Sequence, residues 1–125
     1  MNFLKYYVFL NEDEKYYLKD KISQEFKLYD GNANDKGILS SKDRLMLVYE
    51  SPNTENINDF LNENLHKISK HKNEITMYVD KVDHFLELVI YVDEVTSHFN
   101  ININQSNLNL LSKLNIDFSI TFIDF

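Results

Sequence analysis

The sequence predicts an α+β domain in which a mainly antiparallel sheet of about six strands carries three or four helices, packed largely on one face. Segments in which apolar and polar residues alternate, typical of half-buried strands, are mixed with segments in which apolar residues recur every three or four positions, typical of helices. The two kinds of segment do not alternate regularly, as they would in a parallel α/β fold. With 125 residues, 43% of them hydrophobic, the chain can form one core, so we expect residues 1–125 to be a single domain.

The first half of the chain predicts three strands and one helix. Strict alternation of large apolar residues predicts a first strand, and Asn11 then follows as a helix N-cap, with acidic residues that favour the first turn of a helix. Both glycines lie among Asn, Asp and Ser residues, a composition typical of a loop. The predicted elements are strands at residues 3–10, 26–29 and 44–50, a helix at 12–24 and a loop at 30–43.

In the second half, residues 55–82 place apolar side chains at helical spacing and predict either one long helix or two. We favour two, with a break near His71, because residues 69–73 lack an apolar position. The remaining predicted elements are a strand at 85–92, a hairpin turn at 93–97, a strand at 98–104, a helix at 106–114 and a last strand at 116–122. The residues expected to be buried on these strands are Leu88, Ile90, Ile101, Phe118 and Ile120.

The composition favours a cytoplasmic protein. The chain has no cysteine, which excludes disulfides, thiolate metal sites and cysteine nucleophiles and fits a reducing compartment. The apolar stretch at residues 1–10 is interrupted by Lys5 and followed by acidic residues, so a signal peptide is not expected. The longest uncharged apolar run after it, Leu88–Val92, is too short to cross a bilayer, and no membrane association is expected.

The net charge of −7 argues against nucleic-acid binding, which normally requires clustered Lys and Arg side chains. The charge is also unevenly distributed, because residues 73–125 contain eight acidic residues and only two basic ones, Lys81 and Lys113. Such an acidic region is either a solvated surface that keeps the protein soluble or a docking surface for a basic protein.

No catalytic, cofactor or metal site is predicted, and we expect that the protein is not an enzyme. Residues Asp30, Asn32 and Asn34 resemble the start of a calcium-binding loop. The glycine and the bidentate glutamate that such a loop needs are replaced by Asp35 and Ser41. The four histidines lack the spacing of a shared metal site, and neither a Gly-x-Ser-x-Gly turn nor a glycine-rich phosphate loop occurs.

The C-terminal stretch Ser106–Phe122, a Leu-rich helix leading into an alternating strand, resembles the closing part of a bacterial family known as domain of unknown function 4279. The order of the predicted elements is similar to that of the family, and so is the loop containing Lys36-Gly37. Such proteins often carry a tryptophan in the next strand, where this chain has Leu45-Met46-Leu47. The resemblance implies the same α+β fold, and it implies no reaction and no catalytic residues.

The face of the predicted sheet that points away from the helices is the candidate interaction surface. Aromatic and amide side chains dominate it, and tyrosine offers a large contact area at a small entropic cost. A covering helix or loop, or a homodimer, is the alternative explanation of this face. The residues predicted for it are Tyr7, Phe9, Glu87, Val89, Tyr91, Asn100, Asn102, Ser119 and Thr121.

Five residues on or beside one strand of this face are predicted to bind a partner: Asp83, Glu87, Tyr91, Asp93 and Glu94. The acids would steer a basic partner, and the tyrosine would anchor it. The predicted function is therefore a non-enzymatic protein-binding module, in its most specific form an immunity-type protein that neutralises a toxin by binding it.

Two alternatives stay open: a small-ligand-binding domain with a pocket between sheet and helices, and an enzyme that uses carboxylates in no recognised pattern. A pocket lined by convergent polar groups would favour the ligand-binding domain. A flat acidic or aromatic surface would favour the protein-binding module.

Overall fold

The computed structural model describes residues 2–18, 20–21, 25–29, 43–51, 56–92 and 101–124. The strands are β1 (Asn2–Leu10), β2 (Lys27–Tyr29), β3 (Asp43–Ser51), β4 (Asp83–Val92) and β5 (Asp117–Asp124). The helices are α1 (Glu12–Leu18), α2 (Ile57–Thr76) and α3 (Gln105–Leu114). The predicted α+β class is confirmed, since one sheet shares a hydrophobic core with α2 and α3.

The described strands form one mixed sheet in the order β2-β3-β1-β4-β5, with β1 in the middle. β1 pairs antiparallel with both β3 and β4, and β2 pairs antiparallel with β3. β4 and β5 are parallel, because the connection that contains α3 returns the chain to the end of the sheet where β4 began. The predicted mainly antiparallel sheet of about six strands is therefore corrected to a mixed sheet, with five strands in the part of the chain described.

Alternation along β1 divides the sheet into two faces. Leu4, Tyr6 and Val8 belong to the core and are fully or almost fully buried. The register places Tyr6 opposite Leu47 of β3 and opposite Leu86 of β4, so the same face continues on both neighbouring strands. We call this core side the first face of the sheet and the opposite side the second face.

The hydrophobic core fills the space between the first face and the two helices α2 and α3. Of the residues predicted to be buried, Leu88 and Ile90 are 0% and 1% exposed. Three others pack against the core but are only partly buried: Ile101, Phe118 and Ile120. Two of these three lie on β5, the last strand of the described sheet, where neighbouring strand residues cover fewer sides of each side chain.

Helix α2 spans Ile57–Thr76 without interruption, so the predicted break near His71 is wrong. The helix begins at a cap in which the side-chain oxygen of Asn56 accepts hydrogen bonds from the N–H groups of Asn58 and Asp59. No Gly or Pro occurs in the segment without apolar residues, so the helical hydrogen bonds continue through it. Neither α2 nor any other described helix is both long and apolar enough to span a membrane.

The predicted helix at residues 12–24 is shorter in the structure. α1 ends at Leu18, and a turn follows in which the N–H of Lys21 donates to the carbonyl oxygen of Leu18 over 3.0 Å. Residues 22–24 lie outside the described residues.

The predicted strand at residues 98–104 is wrong over 101–104, which form no regular secondary structure. The side chain of Asn58 on α2 binds this segment instead: it donates to the carbonyl oxygen of Asn102 over 2.7 Å and accepts from the N–H of Asn104 over 2.9 Å. Asn107, which is fully buried in the first turn of α3, donates to both oxygens of Asn58. A side chain of α2 thus satisfies backbone groups that a strand neighbour would otherwise bind. The predicted hairpin turn at 93–97 lies outside the described residues.

We expect the substitution Leu88→Ala to lower the free energy of unfolding by about 2–5 kcal/mol, because it leaves a cavity in the centre of the core. The matched control is Leu108→Ala on α3, where the leucine is 46% exposed, and a change within about 0.5 kcal/mol is expected. Urea denaturation of both variants measures the difference. Equal losses at the two positions would contradict the assignment of one leucine to the core and the other to the surface.

Candidate functional site

The second face of the sheet is the candidate functional site. It is made of the side chains that alternate with the core residues along each strand. On the described strands these residues are Phe3, Lys5, Tyr7 and Phe9 of β1, Lys27 and Tyr29 of β2, Arg44, Met46, Val48 and Glu50 of β3, Asp83, Phe85, Glu87, Val89 and Tyr91 of β4, and Asp117, Ser119, Thr121 and Ile123 of β5. Of the other residues predicted for this face, Asn102 belongs to no strand, and Asn100 lies outside the described residues.

The centre of the second face is aromatic and apolar. The rings of Tyr7 and Phe85 lie 6.3 Å apart, and the rings of Phe3 and Tyr91 form an edge-to-face pair with centroids 5.5 Å apart. Tyr7 and Val89 are only 4% and 3% exposed, although the sequence predicted a face directed away from the core. Both residues lie on inner strands of the sheet, where side chains of the strands on either side flank them.

The structure brings together three of the five residues predicted to bind a partner. Asp83, Glu87 and Tyr91 are four residues apart along β4 and therefore share the second face. Asp83 is exposed, whereas Glu87 and Tyr91 are partly buried. Asp93 and Glu94 lie outside the described residues.

The carboxylate of Glu87 is bonded to a side chain that the sequence pattern did not link to it. Thr121 Oγ1 on β5 donates a hydrogen bond to Glu87 Oε2 over 2.8 Å, and the register places Lys5 of β1 directly opposite Glu87. Burial, and then the charge of Glu87, raises the pKa of Tyr7 to about 12, so the phenol in the centre of the face is neutral near pH 7. The side chain of Glu87 is thus held in place by Thr121 beside an uncharged centre. Only the register of the strands reveals this grouping.

Charge divides the second face into two halves. The basic half, on β1, β2 and β3, carries Lys5, Lys27 and Arg44, and Glu50 is the one acidic side chain among the described strand residues of this half. The acidic half, on β4 and β5, carries Asp83, Glu87 and Asp117. Both strands of the acidic half come from the C-terminal region in which the sequence concentrates its acidic residues. The asymmetry of charge along the chain therefore becomes an asymmetry across the sheet.

A chain of buried hydrogen bonds on the first face connects β1, β4 and the end of α3. The hydroxyl of Tyr6 bonds to His84 Nδ1 over 2.8 Å, and His84 Nε2 bonds to the carbonyl oxygen of Asn115 over 3.1 Å. Because a carbonyl oxygen can only accept, Nε2 carries the ring proton and Nδ1 accepts from the phenol. Asn115 has left-handed backbone angles, φ 49° and ψ 53°, which asparagine tolerates better than most residues.

The surroundings keep both side chains of this pair neutral. Burial lowers the pKa of His84, and the Lys72 ammonium group lowers it further, against the opposing effect of the hydrogen bond to Asn115. Burial raises the pKa of Tyr6 well above its ordinary value. Both ring nitrogens of His84 are engaged within the protein, so the imidazole has no lone pair directed at a ligand or a substrate proton.

A cleft of about 540 Å³ lies where β4 and β5 begin. Its lining residues are Lys81, Val82, Asp83, His84, Asn115 and Asp117. Among its polar side chains, that of His84 is buried and bonded within the protein, whereas Lys81, Asp83 and Asp117 are exposed at the surface. The cleft is therefore an open charged surface, and its one buried polar side chain is already satisfied.

A second histidine helps to position β2. His71 Nε2 on α2 lies 3.3 Å from Glu25 Oε2, and the imidazole forms an edge contact with the ring of Phe26 at 5.2 Å between centroids. These contacts connect α2 to the residues that directly precede β2. The register with β3 then places Lys27 opposite Met46 on the second face.

Within the described residues, no three His, Asp or Glu side chains are grouped so that they could hold a metal ion. The calcium-like residues Asp30, Asn32 and Asn34 lie outside that part of the chain.

No family model, curated protein or solved structure matches this sequence or fold. The resemblance to domain of unknown function 4279 stays a prediction, and the function is inferred from geometry.

We expect Tyr6→Phe to lower the free energy of unfolding by about 1–3 kcal/mol, because it leaves His84 Nδ1 buried without a hydrogen-bond donor. The matched control is Tyr17→Phe on α1, where the side chain is 49% exposed, and a change within about 0.5 kcal/mol is expected. Chemical denaturation measures both. Equal stability of the Tyr6 variant and the parent protein would show that the bond to His84 contributes nothing net.

The lowered pKa of His84 predicts a loss of stability in mild acid. Below about pH 6.5, the ordinary pKa of histidine, the unfolded chain binds a proton here that the folded protein does not bind. The free energy of unfolding should therefore fall as the pH drops from about 6.5 to the lowered pKa, by at most about 1.4 kcal/mol per pH unit from this group. Above about pH 6.5 the contribution should be constant.

The test compares urea denaturation of the parent protein and of His84→Gln at about pH 7.5 and about pH 5.5. The variant should lose less stability on acidification than the parent, since the titrating group is gone. The same substitution at the exposed His66 controls for the general effect of losing an imidazole. Equal acid losses in the His84 variant and the parent would contradict the assignment.

Proposed function

We propose that the protein is a non-enzymatic protein-binding module and that the second face of its sheet is the binding surface. The observation that carries the proposal is an aromatic, uncharged centre flanked by two halves of opposite charge. Large apolar side chains on both sides of this centre reach solvent, since Val48 is 42% and Ile123 is 37% exposed. Protein interfaces typically combine such an aromatic centre with a polar rim.

The shape of the site supports a protein partner over a small molecule. The groove on its basic half, lined by Lys27, Tyr29, Met46 and Val48 with Glu25 and Glu50, has a volume of about 270 Å³. Small ligands bind in concave, largely apolar pockets of about 300–1,000 Å³. The cleft beside β4 and β5 is charged and open, and the buried imidazole in its wall is already bonded on both nitrogens. That arrangement also supports a binding role over acid–base catalysis, in which the catalytic group must reach the proton that it transfers.

The acidic half of the second face favours a basic patch on the partner. Exposed Asp83 and Asp117 would speed the encounter with such a patch, and the hydrogen bond from Thr121 would hold Glu87 ready for contact. Tyr91, already packed against Phe3, would add an aromatic anchor. An immunity-type protein that binds a basic toxin is one form of this proposal.

Site-specific photo-crosslinking in the cells that express the chain tests the proposal. The photoreactive amino acid p-benzoylphenylalanine, placed at Val48 or at Ile123, should give crosslinks to protein because both side chains lie on the second face. Leu108 is the matched control, because it is 46% exposed but lies on α3. Gel electrophoresis and mass spectrometry measure the yield and the mass of the products.

Charge reversal on the acidic half tests whether the crosslinks depend on the charges of the second face. Asp83→Lys combined with Asp117→Lys should lower the yield at Val48 several-fold, and added salt should do the same to the parent protein. Equal yields at Val48 and Leu108 would show that the second face is not the binding surface.

A further inference from the structure

We infer that the partner of the second face is a second copy of this chain, bound face to face about a two-fold axis that runs nearly parallel to β1. The inference rests on the proposed function and names the partner. It follows from the strand order and the register, which make the charge pattern of the face complementary to itself.

The strand order provides the symmetry that such a dimer needs. β1 is the middle strand, with β3 and β2 on one side and β4 and β5 on the other. A two-fold rotation about an axis along β1 brings β4 of one copy over β3 of the other, and β5 over β2. The acidic half of each copy therefore faces the basic half of the other. An in-plane axis perpendicular to the strands would instead place acidic half on acidic half.

The register pairs individual side chains in this arrangement. One row across the sheet reads Lys27, Met46, Tyr7, Phe85 and Asp117, from β2 to β5. After the rotation, Lys27 faces Asp117 of the second copy and Met46 faces Phe85 of the second copy. Each contact occurs twice, as an isologous interface requires.

A second row gives the same result. Arg44 of β3, Phe9 of β1 and Asp83 of β4 lie side by side, so the rotation places Arg44 opposite Asp83 of the second copy. Lys5 lies near the axis and approaches its own symmetry mate, but Glu87 directly opposite on β4 compensates its charge within each copy. Both rows therefore place basic side chains of one copy opposite acidic side chains of the other, and the pair of Lys27 and Asp117 occurs twice.

The dimensions fit a stable interface. The 39 residues of the five described strands, about 3.4 Å apart along each strand and about 4.8 Å apart between strands, cover roughly 640 Å² of sheet plane. Stable protein–protein interfaces bury about 600–1,000 Å² on each partner. Two sheets packed in this way form a sandwich about 10 Å thick, with strand directions within about 30° of each other.

Sedimentation velocity of the full chain, from about 1 µM to about 500 µM, tests the inference. The parent protein should dimerise, and the single variants Lys27→Asp and Asp117→Lys should each weaken the dimer at least tenfold, because each creates two like-charge contacts. Both residues are exposed, so folding should survive, which circular dichroism checks. Exposed Glu63 and Lys67, an ion pair on α2, are the matched control, and Glu63→Lys should leave the dimer unchanged.

Mixing the two single variants gives the most specific result. In a dimer of one Lys27→Asp chain with one Asp117→Lys chain, both charge pairs become attractive again, so two weakly associating proteins should form a tight heterodimer. The double variant, which carries both substitutions in one chain, should dimerise like the parent. Within one chain the two positions lie four strands apart, so an intramolecular contact cannot explain such a rescue.

A parent protein that stays monomeric up to about 500 µM would overturn the inference. The inference would also be overturned if the dimer of either single variant were as stable as that of the parent protein, or if mixing the two variants gave no tight heterodimer. If the protein is monomeric but Val48 crosslinks to a different protein in cells, the second face is still a binding surface. Only the inference that its partner is a second copy of this chain is then rejected. If the crosslinks at Val48 do not exceed those at Leu108, the proposed function fails as well.

Discussion

The buried phenol of Tyr6 imposes the constraint on which the arrangement of the sheet depends. Tyr6 lies on the middle strand with a fully buried side chain, so its hydroxyl must find a partner inside the protein. His84 accepts that bond, and its second nitrogen then needs an acceptor, which the carbonyl group of Asn115 supplies. These two hydrogen bonds connect β1, β4 and the residue that ends α3. The bonded carbonyl group belongs to the left-handed residue at which the chain leaves α3, two residues before β5 begins.

The position of that turn decides which side chains share the second face. Because β5 starts beside β4 and runs parallel to it, Asp117 lies next to Phe85, and Thr121 reaches Glu87. The acidic C-terminal region thereby forms one half of the face, while β2 and β3 supply the basic half. The same internal bonds that organise the core leave His84 without a free nitrogen. The buried polar groups Tyr6 and His84 therefore have a structural role.

Two of the incorrect predictions share one cause, which is that a local pattern was compatible with two long-range outcomes. The apolar gap around His71 suggested the end of a helix, but the imidazole packs against Glu25 and Phe26, so a polar position contributes to tertiary packing. The alternation around Ile101 and Ile103 suggested a strand. Asn58, on a helix more than 40 residues earlier, binds the backbone there instead. Neither partner can be found from spacing alone.

The sequence by itself determined the α+β class, most element positions and the alternation that assigns Glu87 and Tyr91 to one face, because periodicity acts over neighbouring residues. Only the tertiary structure decided the strand order, the parallel β4–β5 pair and the register. The neighbours of Glu87 and the division of the second face into charged halves depend on these. Strand order, pairing and register are contacts between residues far apart in the chain. They depend on how the whole core is buried and on which partners its buried polar groups find.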